Sequence, residues 1–456
     1  MAIIGTRGQT HSPTRMPFLK RLFWAYFLLL IFEGALRKWI VPQLAGPLLL
    51  VRDPIALLII WEAYRTQKWP KQWSSVAGVL SVALLALCFI QLIAGDNPWF
   101  VAVYGLRSYL LPFPVAFIMG ENLNADDLRK FGICTLWLLL PLTALEVAQY
   151  LAPPSSLLNA GAYKGTEQLA YAGGHVRASS TFSYVTGPSN YIPLAAGFMF
   201  FGIVNKRFAK KWLLWAAAIA LFIAVPVTGS RTVLVLLLAV LTCVAIAAMF
   251  GVSQLASSLR AIALLFLVAL AVSRLSVFSE ATNTFQERLI QASESEGGSK
   301  GTADSRLSLP LVNALENGLS STQWYGNGMG LGSNAAAMLL TGTQTFLAGE
   351  GEVERIITEF GPAFGIAFLL FRFLLATMIA AKAFVRVRER HPLAWFLVPV
   401  LFPALAFGTL EQPTVQGFMV VALGFTLAAL NEESALAESA LDATIRLRRV
   451  RYRMSA

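Results

Sequence analysis

Residues 75–94 read SVAGVLSVALLALCFIQLIA, an apolar stretch of 20 residues without a charged side chain. At a rise of about 1.5 Å per residue, a helix of this length matches the roughly 30 Å hydrocarbon core of a bilayer. Residues 232–250, TVLVLLLAVLTCVAIAAMF, repeat the pattern. Such stretches predict transmembrane helices, and their recurrence along the chain decides the fold class.

The composition of the whole chain excludes a soluble domain. Of the 456 residues, 56% are hydrophobic and 13% are charged, and the mean hydropathy is +0.63. Soluble domains carry about 25% charged residues. The formal net charge of +11 could indicate nucleic-acid binding, but Lys and Arg lie in short clusters between apolar runs, as the charge of cytoplasmic loops does. We therefore expect a membrane protein with no nucleic-acid partner.

Twelve segments are long and apolar enough to be predicted as spans, which gives an all-α, polytopic helical bundle. The first two are the least regular, because Glu33 and the pair Arg52-Asp53 fall within or near apolar sequence, and residues 37–46 have a re-entrant turn as an alternative. The predicted spans are 21–36, 46–63, 75–94, 100–119, 131–152, 187–204, 212–228, 232–250, 260–278, 354–381, 392–410 and 413–430.

The basic residues predict the orientation. Cytoplasmic connections carry an excess of Lys and Arg, and one set of connections here does so, at 65–71, 129–130, 206–211 and 382–390. Basic residues before the first span and after the last belong to the same set, whereas the opposite short connections carry none apart from Arg37 and Lys38. Both termini are therefore predicted to be cytoplasmic, which agrees with an even number of spans.

This topology divides the chain into five parts. We expect a cytoplasmic segment, nine spans interrupted by an outer loop, a long outer loop between spans nine and ten, three further spans and a cytoplasmic tail. Loops as long as the second one are usually functional. The predicted bounds are 1–20, 21–278 with the loop at 153–186, 279–353, 354–430 and 431–456.

Five arginines, four within or near the predicted spans and one in the long outer loop, lie toward the outer side. Burying Arg at the bilayer centre costs about 2.5–3.5 kcal/mol, so such residues usually pair or line a site. One interpretation is snorkelling or pairing with a carboxylate, such as Arg355 with Glu359. As a group they favour a site for a lipid-linked phosphate or diphosphate, because guanidinium binds phosphate in bidentate geometry. They are Arg107, Arg177, Arg231, Arg306 and Arg355.

Two further motifs lie in the long loop. Gly326-Asn-Gly-Met-Gly-Leu-Gly332 resembles a phosphate-binding loop but lacks its Lys-Ser/Thr, and we favour a flexible turn. Glu350, Glu352 and Glu354 form an acidic run, which is usually solvated; beside an anion site, a carboxylate could instead accept a proton. The histidines are scattered and the three cysteines lie in apolar segments, so we expect no metal and no cofactor.

Four segments together resemble the O-antigen ligase and O-antigen polymerase superfamily of bacterial envelope polysaccharide synthesis. The resemblance covers about residues 175–370 and the overall topology. One position departs from it, since Glu350 stands where family members commonly place His, eleven residues before Gly361. The segments are Arg177-Ala-Ser-Ser-Thr-Phe with Gly187-Pro-Ser-Asn190, then Thr228-Gly-Ser-Arg231, then Arg306 ahead of Tyr325-Gly-Asn-Gly-Met-Gly330, and Glu359-Phe-Gly361 with Gly365.

The resemblance implies a GT-C-like, metal-independent and inverting glycosyltransferase in the bacterial inner membrane. Its substrate would be an undecaprenyl-diphosphate-linked glycan, and we expect polymerisation of repeat units into O-antigen or exopolysaccharide at the outer face. Arg231 and Arg306 would bind the diphosphate and stabilise its charge as it leaves, with Glu350 as the base and Arg107, Arg177 and Arg355 supporting the lipid phosphate. Membrane lipids and other polysaccharide assembly proteins are the expected partners.

Three alternatives stay open at this point. A ligase would transfer the finished glycan to a lipid or protein acceptor, and the missing His weakens that assignment. A transporter or flippase would place charged residues along a path across the whole membrane, whereas here they concentrate toward one side. A non-catalytic component of an export assembly is the third alternative.

Overall fold

The computed structural model describes residues 17–95, 97–161, 175–250, 323–333, 336, 340 and 351–431. This part of the chain is all-helical, with turns of 3-10 and π-helix between the longer helices. In chain order its α-helices are α1 Phe18–Ala35, α2 Arg52–Arg65, α3 Ser74–Ala94, α4 Trp99–Leu110, α5 Pro112–Asn122, α6 Ala125–Leu151, α7 Thr186–Val204, α8 Lys211–Thr228, α9 Arg231–Met249, α10 Glu352–Phe360, α11 Pro362–Arg388, α12 Leu393–Ala406 and α13 Pro413–Asn431.

Within the described residues, seven helical segments are long and apolar enough to cross a membrane. The chain is therefore a multi-pass membrane protein by helix length and composition. The predicted ninth span at 260–278, most of the segment 1–20 and most of the tail 431–456 lie outside the described residues. The seven segments are Lys71–Ala94, Trp99–Asn122, Ala125–Leu151, Lys211–Thr228, Arg231–Met249, Pro362–Arg388 and Pro413–Asn431.

The region of the first two predicted spans forms helices α1 and α2 with a compact connection. A π-helical turn at Leu36–Ile40 and two short 3-10 turns join them. The charged residues that made these spans irregular pair with partners inside the bundle: Arg52 Nε donates to Glu33 Oε2 at 3.0 Å, and Arg107 donates to Asp53 at 2.7 Å. The helices keep these charges because each one has an opposite charge beside it.

The tenth span begins later than predicted, at Pro362 rather than at residue 354. Residues 352–360 form the separate short helix α10, and Gly361 breaks the chain direction with φ +82°. A proline directly after this glycine starts a new helix, since it cannot continue the preceding hydrogen-bond ladder. The apolar run concealed this break because both helices are buried on one side.

Helix α13 occupies the centre of the bundle. Its most apolar window is 94% buried, against 28% for α3 and for α9, so α13 is enclosed by protein while the other two present wide apolar faces outward. Phe425 packs against three rings from the surrounding helices, Phe27, Phe131 and Phe198. Close packing around a central helix is the usual source of stability for a bundle in lipid.

One end of the bundle collects the basic connections and is called the basic end here. Lys20 pairs with Asp127 at the start of α6, and Arg129 donates to the carbonyl of Phe208. The ammonium of Lys382, near the end of α11, lies 6.0 Å from the ring centre of Trp73, just before α3. Sequence segments predicted to share the cytoplasmic side are thus neighbours in space.

Candidate functional site

The opposite end of the bundle holds most of the buried ionisable groups and is called the site end here. These groups lie near helix ends, on the short helix α10, in the connection before α13 or, for Arg372, inside α11. In the described part of the chain they include Glu33, Arg37, Lys38, Arg52, Arg107, Glu352, Arg355, Glu359, Arg372 and Glu411.

Helix α10 folds back into the bundle at the site end. Gly365 of α11 lies against the backbone of Ile356 and Ile357, and Arg372, two turns further along α11, pairs with Glu352 at the start of α10. The two helices are therefore antiparallel, with Gly361 at their tip. Helix α10 starts at the level of Arg372 and ends at Gly361. Its polar side chains Glu352, Arg355 and Glu359 are buried inside the bundle.

Five residues from three elements form a closed charge network, called the acid–arginine cluster. Glu352 accepts from both Arg355 and Arg372. Arg372 also donates to the carbonyl oxygens of Leu405, at 2.7 Å, and Gly408. Arg355 Nε lies 3.6 Å from Glu411 Oε2. The remaining member is Glu359, so three carboxyl groups face two guanidinium groups in a site that is almost free of solvent.

The excess of carboxyl groups in this cluster favours the protonated form of Glu411. Burial and the adjacent Glu359 carboxylate raise the pKa of Glu411 well above its ordinary value. A protonated Glu411 can donate a hydrogen bond to Glu359, whereas two carboxylates side by side would repel. The cluster is then neutral overall, which is the condition under which charged groups can stay buried.

Glu359 is fixed from three sides. Tyr109 Oη on α4 donates to its Oε2 at 2.8 Å, and the backbone N–H of Gly332 donates to its Oε1 at 2.7 Å. Its own carbonyl oxygen accepts from Gln91 at 2.7 Å. These bonds tie together α3, α4, α10 and the described end of the long loop, so Glu359 organises the site end.

The glycine-rich segment is a packed turn rather than the flexible one expected. Gly326, Gly328 and Gly330 all have positive φ, between 84° and 130°, and a Cβ at Gly330 would lie 2.5 Å from the carbonyl oxygen of Val101. Only glycine adopts this backbone so close to another helix. The segment therefore seals the site end against α4 and delivers the Gly332 N–H to Glu359.

Arg107 lies beside the cluster with part of its donor capacity unused. One Nη binds Asp53, and the guanidinium lies 4.0 Å from the ring centre of Tyr104. Its Nε and other Nη are buried and have no hydrogen-bond partner among the described residues. Such donors are costly to leave unpaired, and they suit an anion's oxygens. Arg107 therefore combines the predicted carboxylate pairing with capacity for a ligand.

A second basic group follows α1, where Arg37 lies 3.7 Å from Glu33. Arg37 donates to Ser183 Oγ at 2.8 Å, and Lys38 donates to Ser179 and to the Ser180 carbonyl. Burial, together with the neighbouring Arg37, lowers the pKa of Lys38 to about 7. The segment after Arg177 is thereby held against the turn that follows α1, so the charges of Arg37 and Lys38 face the site end rather than the basic end.

The other arginines of the predicted anion site have different surroundings. Arg231 begins α9, next to Ser230, whose hydroxyl lies 3.0 Å from that of Ser189. Arg177 lies between Val176 and Ala178, which are both fully buried. Arg355 pairs with Glu352 rather than with Glu359. Arg306 and Glu350 lie outside the described residues.

Contacts between the start of α7 and the connection before α13 link the region of Arg231 with the acid–arginine cluster. Ser189 is in the first turn of α7, and Thr186 in the same turn accepts from Gln412 at 3.2 Å. Gln412 directly follows Glu411 in the chain. The structure therefore brings Arg107, Arg231 and Arg355 to the same end of the bundle, each on a different helix.

Several residues of the site end were not predicted. Arg372 and Glu146 each stand alone in an apolar run, and both are buried, at 0% and 2% exposure. An isolated ionisable residue within a span is itself a signal of a site, and the sequence contained it. Glu411 gave no such signal, because it lies in a short connection that would ordinarily be exposed.

The described residues contain no group of three or more His, Cys, Asp or Glu side chains arranged to hold a metal ion. Comparisons of the chain with protein-family models, with curated proteins and with solved structures found no match. The chemistry of the site end therefore has to be argued from its own residues.

Proposed function

We propose that this protein is a glycosyltransferase that polymerises undecaprenyl-diphosphate-linked repeat units at the outer face of the bacterial inner membrane. The observation that carries the proposal is that Arg107 and Arg231 lie at the same end of the bundle, beside the carboxyl-rich cluster that holds Arg355. Guanidinium groups from separate helices fit a diphosphate, which offers oxygens in several directions. The site end is the predicted periplasmic side.

The arginines have different parts in this proposal. Arg107 offers two buried N–H groups that no described residue accepts from, so it binds the lipid-side phosphate. Arg231 lies at the first turn of α9, where the helix dipole adds to its positive charge. Arg306 and Arg177 are assigned to the same ligand on the resemblance alone. Arg355 is held by Glu352 and Glu411, which gives it a structural part at the edge of the site.

The reaction is a direct displacement at the anomeric carbon. A hydroxyl of the acceptor sugar attacks that carbon, the bond to the diphosphate oxygen breaks, and the lipid diphosphate leaves with the electron pair. Attack from the opposite face inverts the anomeric configuration. Charge grows on the leaving diphosphate in the transition state, so the arginines stabilise it where it develops. No metal or cofactor has a part in these steps.

A carboxylate has to take the proton of the attacking hydroxyl. Glu352 is engaged on both oxygens by Arg355 and Arg372, Glu359 accepts from Tyr109 and Gly332, and Glu411 is fully buried beside Glu359, which raises its pKa. This leaves Glu350 as the candidate base, two residues before α10.

The distribution of charge disfavours a transporter. An alternating-access site needs ionisable groups along a path across the membrane. Among the described residues, the buried ion pairs instead concentrate at the site end, and the pairs at the basic end, Lys20–Asp127 and Glu62–Arg65, lie at the helix ends. Transfer at one membrane face fits this distribution better.

The test is the substitution Arg231→Ala in cells that make the polymer. We expect loss of polymer while the amount of protein in the membrane stays normal, and the matched control Arg386→Ala, at the basic end, should leave chain length unchanged. Unchanged chain length in Arg231→Ala would contradict the proposal. Deleting the gene distinguishes the alternatives: loss of a polymerase leaves single repeat units, whereas loss of a ligase leaves long chains on the carrier.

A further inference from the structure

An apolar groove of about 590 Å³ lies between α11 and the start of α3, at the basic end. Its wall on α11 is formed by Phe371, Leu374, Leu375 and Met378, and this wall ends at Lys382. The spacing follows one face of a helix, with residues three, four and seven positions apart. Leu374 is 62% exposed and Met378 is 39% exposed, so the groove is open on its outer side.

The floor of the groove is rigid. Trp73 is 8% exposed, and its ring stacks on that of Phe117 with centroids 4.8 Å apart and planes tilted by 8°. Stacking against a buried ring fixes the indole and prevents it from closing the groove. The groove is therefore a permanent feature of the surface rather than a gap that neighbouring side chains fill.

The mouth of the groove is positively charged. Among the described residues that line it, Lys382 alone is charged and none is acidic. The Lys382 ammonium lies 6.0 Å from the centre of the Trp73 ring, and Lys71, which precedes this tryptophan by two residues, is exposed. An occupant with an apolar body and an anionic end fits this arrangement.

The position of the groove identifies the occupant. Both α3 and α11 are apolar helices whose spanning windows are mostly unburied, at 28% and 33% burial, so the groove opens to the hydrocarbon of the membrane. Its charged mouth lies at the helix ends, at headgroup level, where Trp and Lys are enriched. Basic pockets between helices at this level bind anionic lipid headgroups.

We propose that this groove is a binding site for a phospholipid with a net-negative headgroup. One acyl chain lies along Leu374 and Met378 over the Trp73 ring, and the phosphate lies against the Lys382 ammonium. The site is separate from the site end, so it stands independently of the glycosyltransferase proposal. A second copy of the chain is the competing occupant, and it would bury the same apolar wall.

The experiment is native mass spectrometry of the purified full chain with phosphatidylglycerol and with phosphatidylcholine. The wild type should bind phosphatidylglycerol roughly fivefold more tightly, since a basic residue near the surface contributes about 1 kcal/mol. Lys382→Gln should lose this preference, and Leu374→Trp, which fills the groove, should weaken both lipids. The control Arg386→Gln, one turn further along α11 and paired with Glu389, should bind as the wild type does.

Three outcomes would overturn the proposal. They are equal binding of the two lipids by the wild type, an unchanged preference in Lys382→Gln, and a lipid-independent dimer that Leu374→Trp dissociates. The last would assign the groove to a second copy. Normal monodispersity of each variant on gel filtration shows that the substitution has not unfolded the protein.

Discussion

The ion pairs at the two ends of the bundle differ in how far their side chains are exposed to solvent. At the basic end the pairs Arg65–Glu62 and Arg386–Glu389 leave one partner 62% and 45% exposed. At the site end Arg372 and Glu411 have side-chain exposures of 0% and 2%. Exposed pairs contribute little to stability, whereas burying a charge is expensive and has to be compensated by partners. Charges at the site end therefore depend on partners inside the protein, whereas charges at the basic end remain accessible to solvent.

The largest expected effect comes from opening the acid–arginine cluster. Glu352→Ala leaves Arg372 and Arg355 without their shared carboxylate, and breaking a buried pair costs about 3–5 kcal/mol. The corresponding change at the basic end, Glu389→Ala, should cost at most about 1 kcal/mol because the pair is exposed. Thermal unfolding of both variants in detergent measures the difference, and equal melting temperatures would break the comparison.

Glycine substitutions should change stability by less than Glu352→Ala does. Gly330→Ala would place a Cβ 2.5 Å from the Val101 carbonyl at a residue with φ +88°, and the strained backbone alone costs of order 1–3 kcal/mol. A Cβ at Gly78, near the start of α3, would have no described atom within 4 Å, so Gly78→Ala should be neutral or slightly stabilising. In thermal unfolding, Gly330→Ala should have a lower melting temperature than Gly78→Ala. The reverse order would show that the glycine-rich segment is not packed.

The smallest effect concerns the proton on Glu411. A carboxyl whose pKa is raised in the folded state contributes its full stability below its unfolded pKa of about 4.3 and loses it as the pH rises toward the folded pKa. Stability should therefore fall from about pH 4 upward, and Glu411→Gln, which keeps the hydrogen-bond donor, should flatten this decline. A control at the basic end, Glu389→Gln, should leave the pH profile as it is. An unchanged slope in Glu411→Gln would mean that Glu411 is ionised in the folded protein.

Most of the helices could be predicted from the sequence. Apolar runs of about 20 residues have one stable solution in a bilayer, because the backbone has to satisfy its own hydrogen bonds there. The predicted span at 75–94 matches α3, and the one at 187–204 matches α7 within a residue. The Gly361-Pro362 break was also visible as a dipeptide that punctuates structure, but the predicted span ran through it into the charged segment that forms α10.

The pairing of charges could not be predicted. Glu33 meets Arg52, and Arg372 meets Glu352, only because separate helices bring them together, and sequence spacing carries no information on such contacts. Arg355 pairs locally with Glu352, three residues earlier on the same helix, whereas one interpretation of the sequence paired it with Glu359, four residues later. The fold class was therefore within reach of the sequence, whereas the geometry of the site end depended on tertiary packing.

The most direct test of the central claim is equilibrium binding of undecaprenyl diphosphate to the purified protein in lipid nanodiscs. Arg107→Lys keeps the charge opposite Asp53 but loses the forked geometry, and Arg231→Gln removes a charge at the same end. Each should weaken binding about tenfold, since a hydrogen bond to a charged group contributes roughly 1.5–3 kcal/mol, while Arg386→Gln at the basic end should bind as the wild type does. Equal affinity for all four proteins would contradict a diphosphate site built from these arginines.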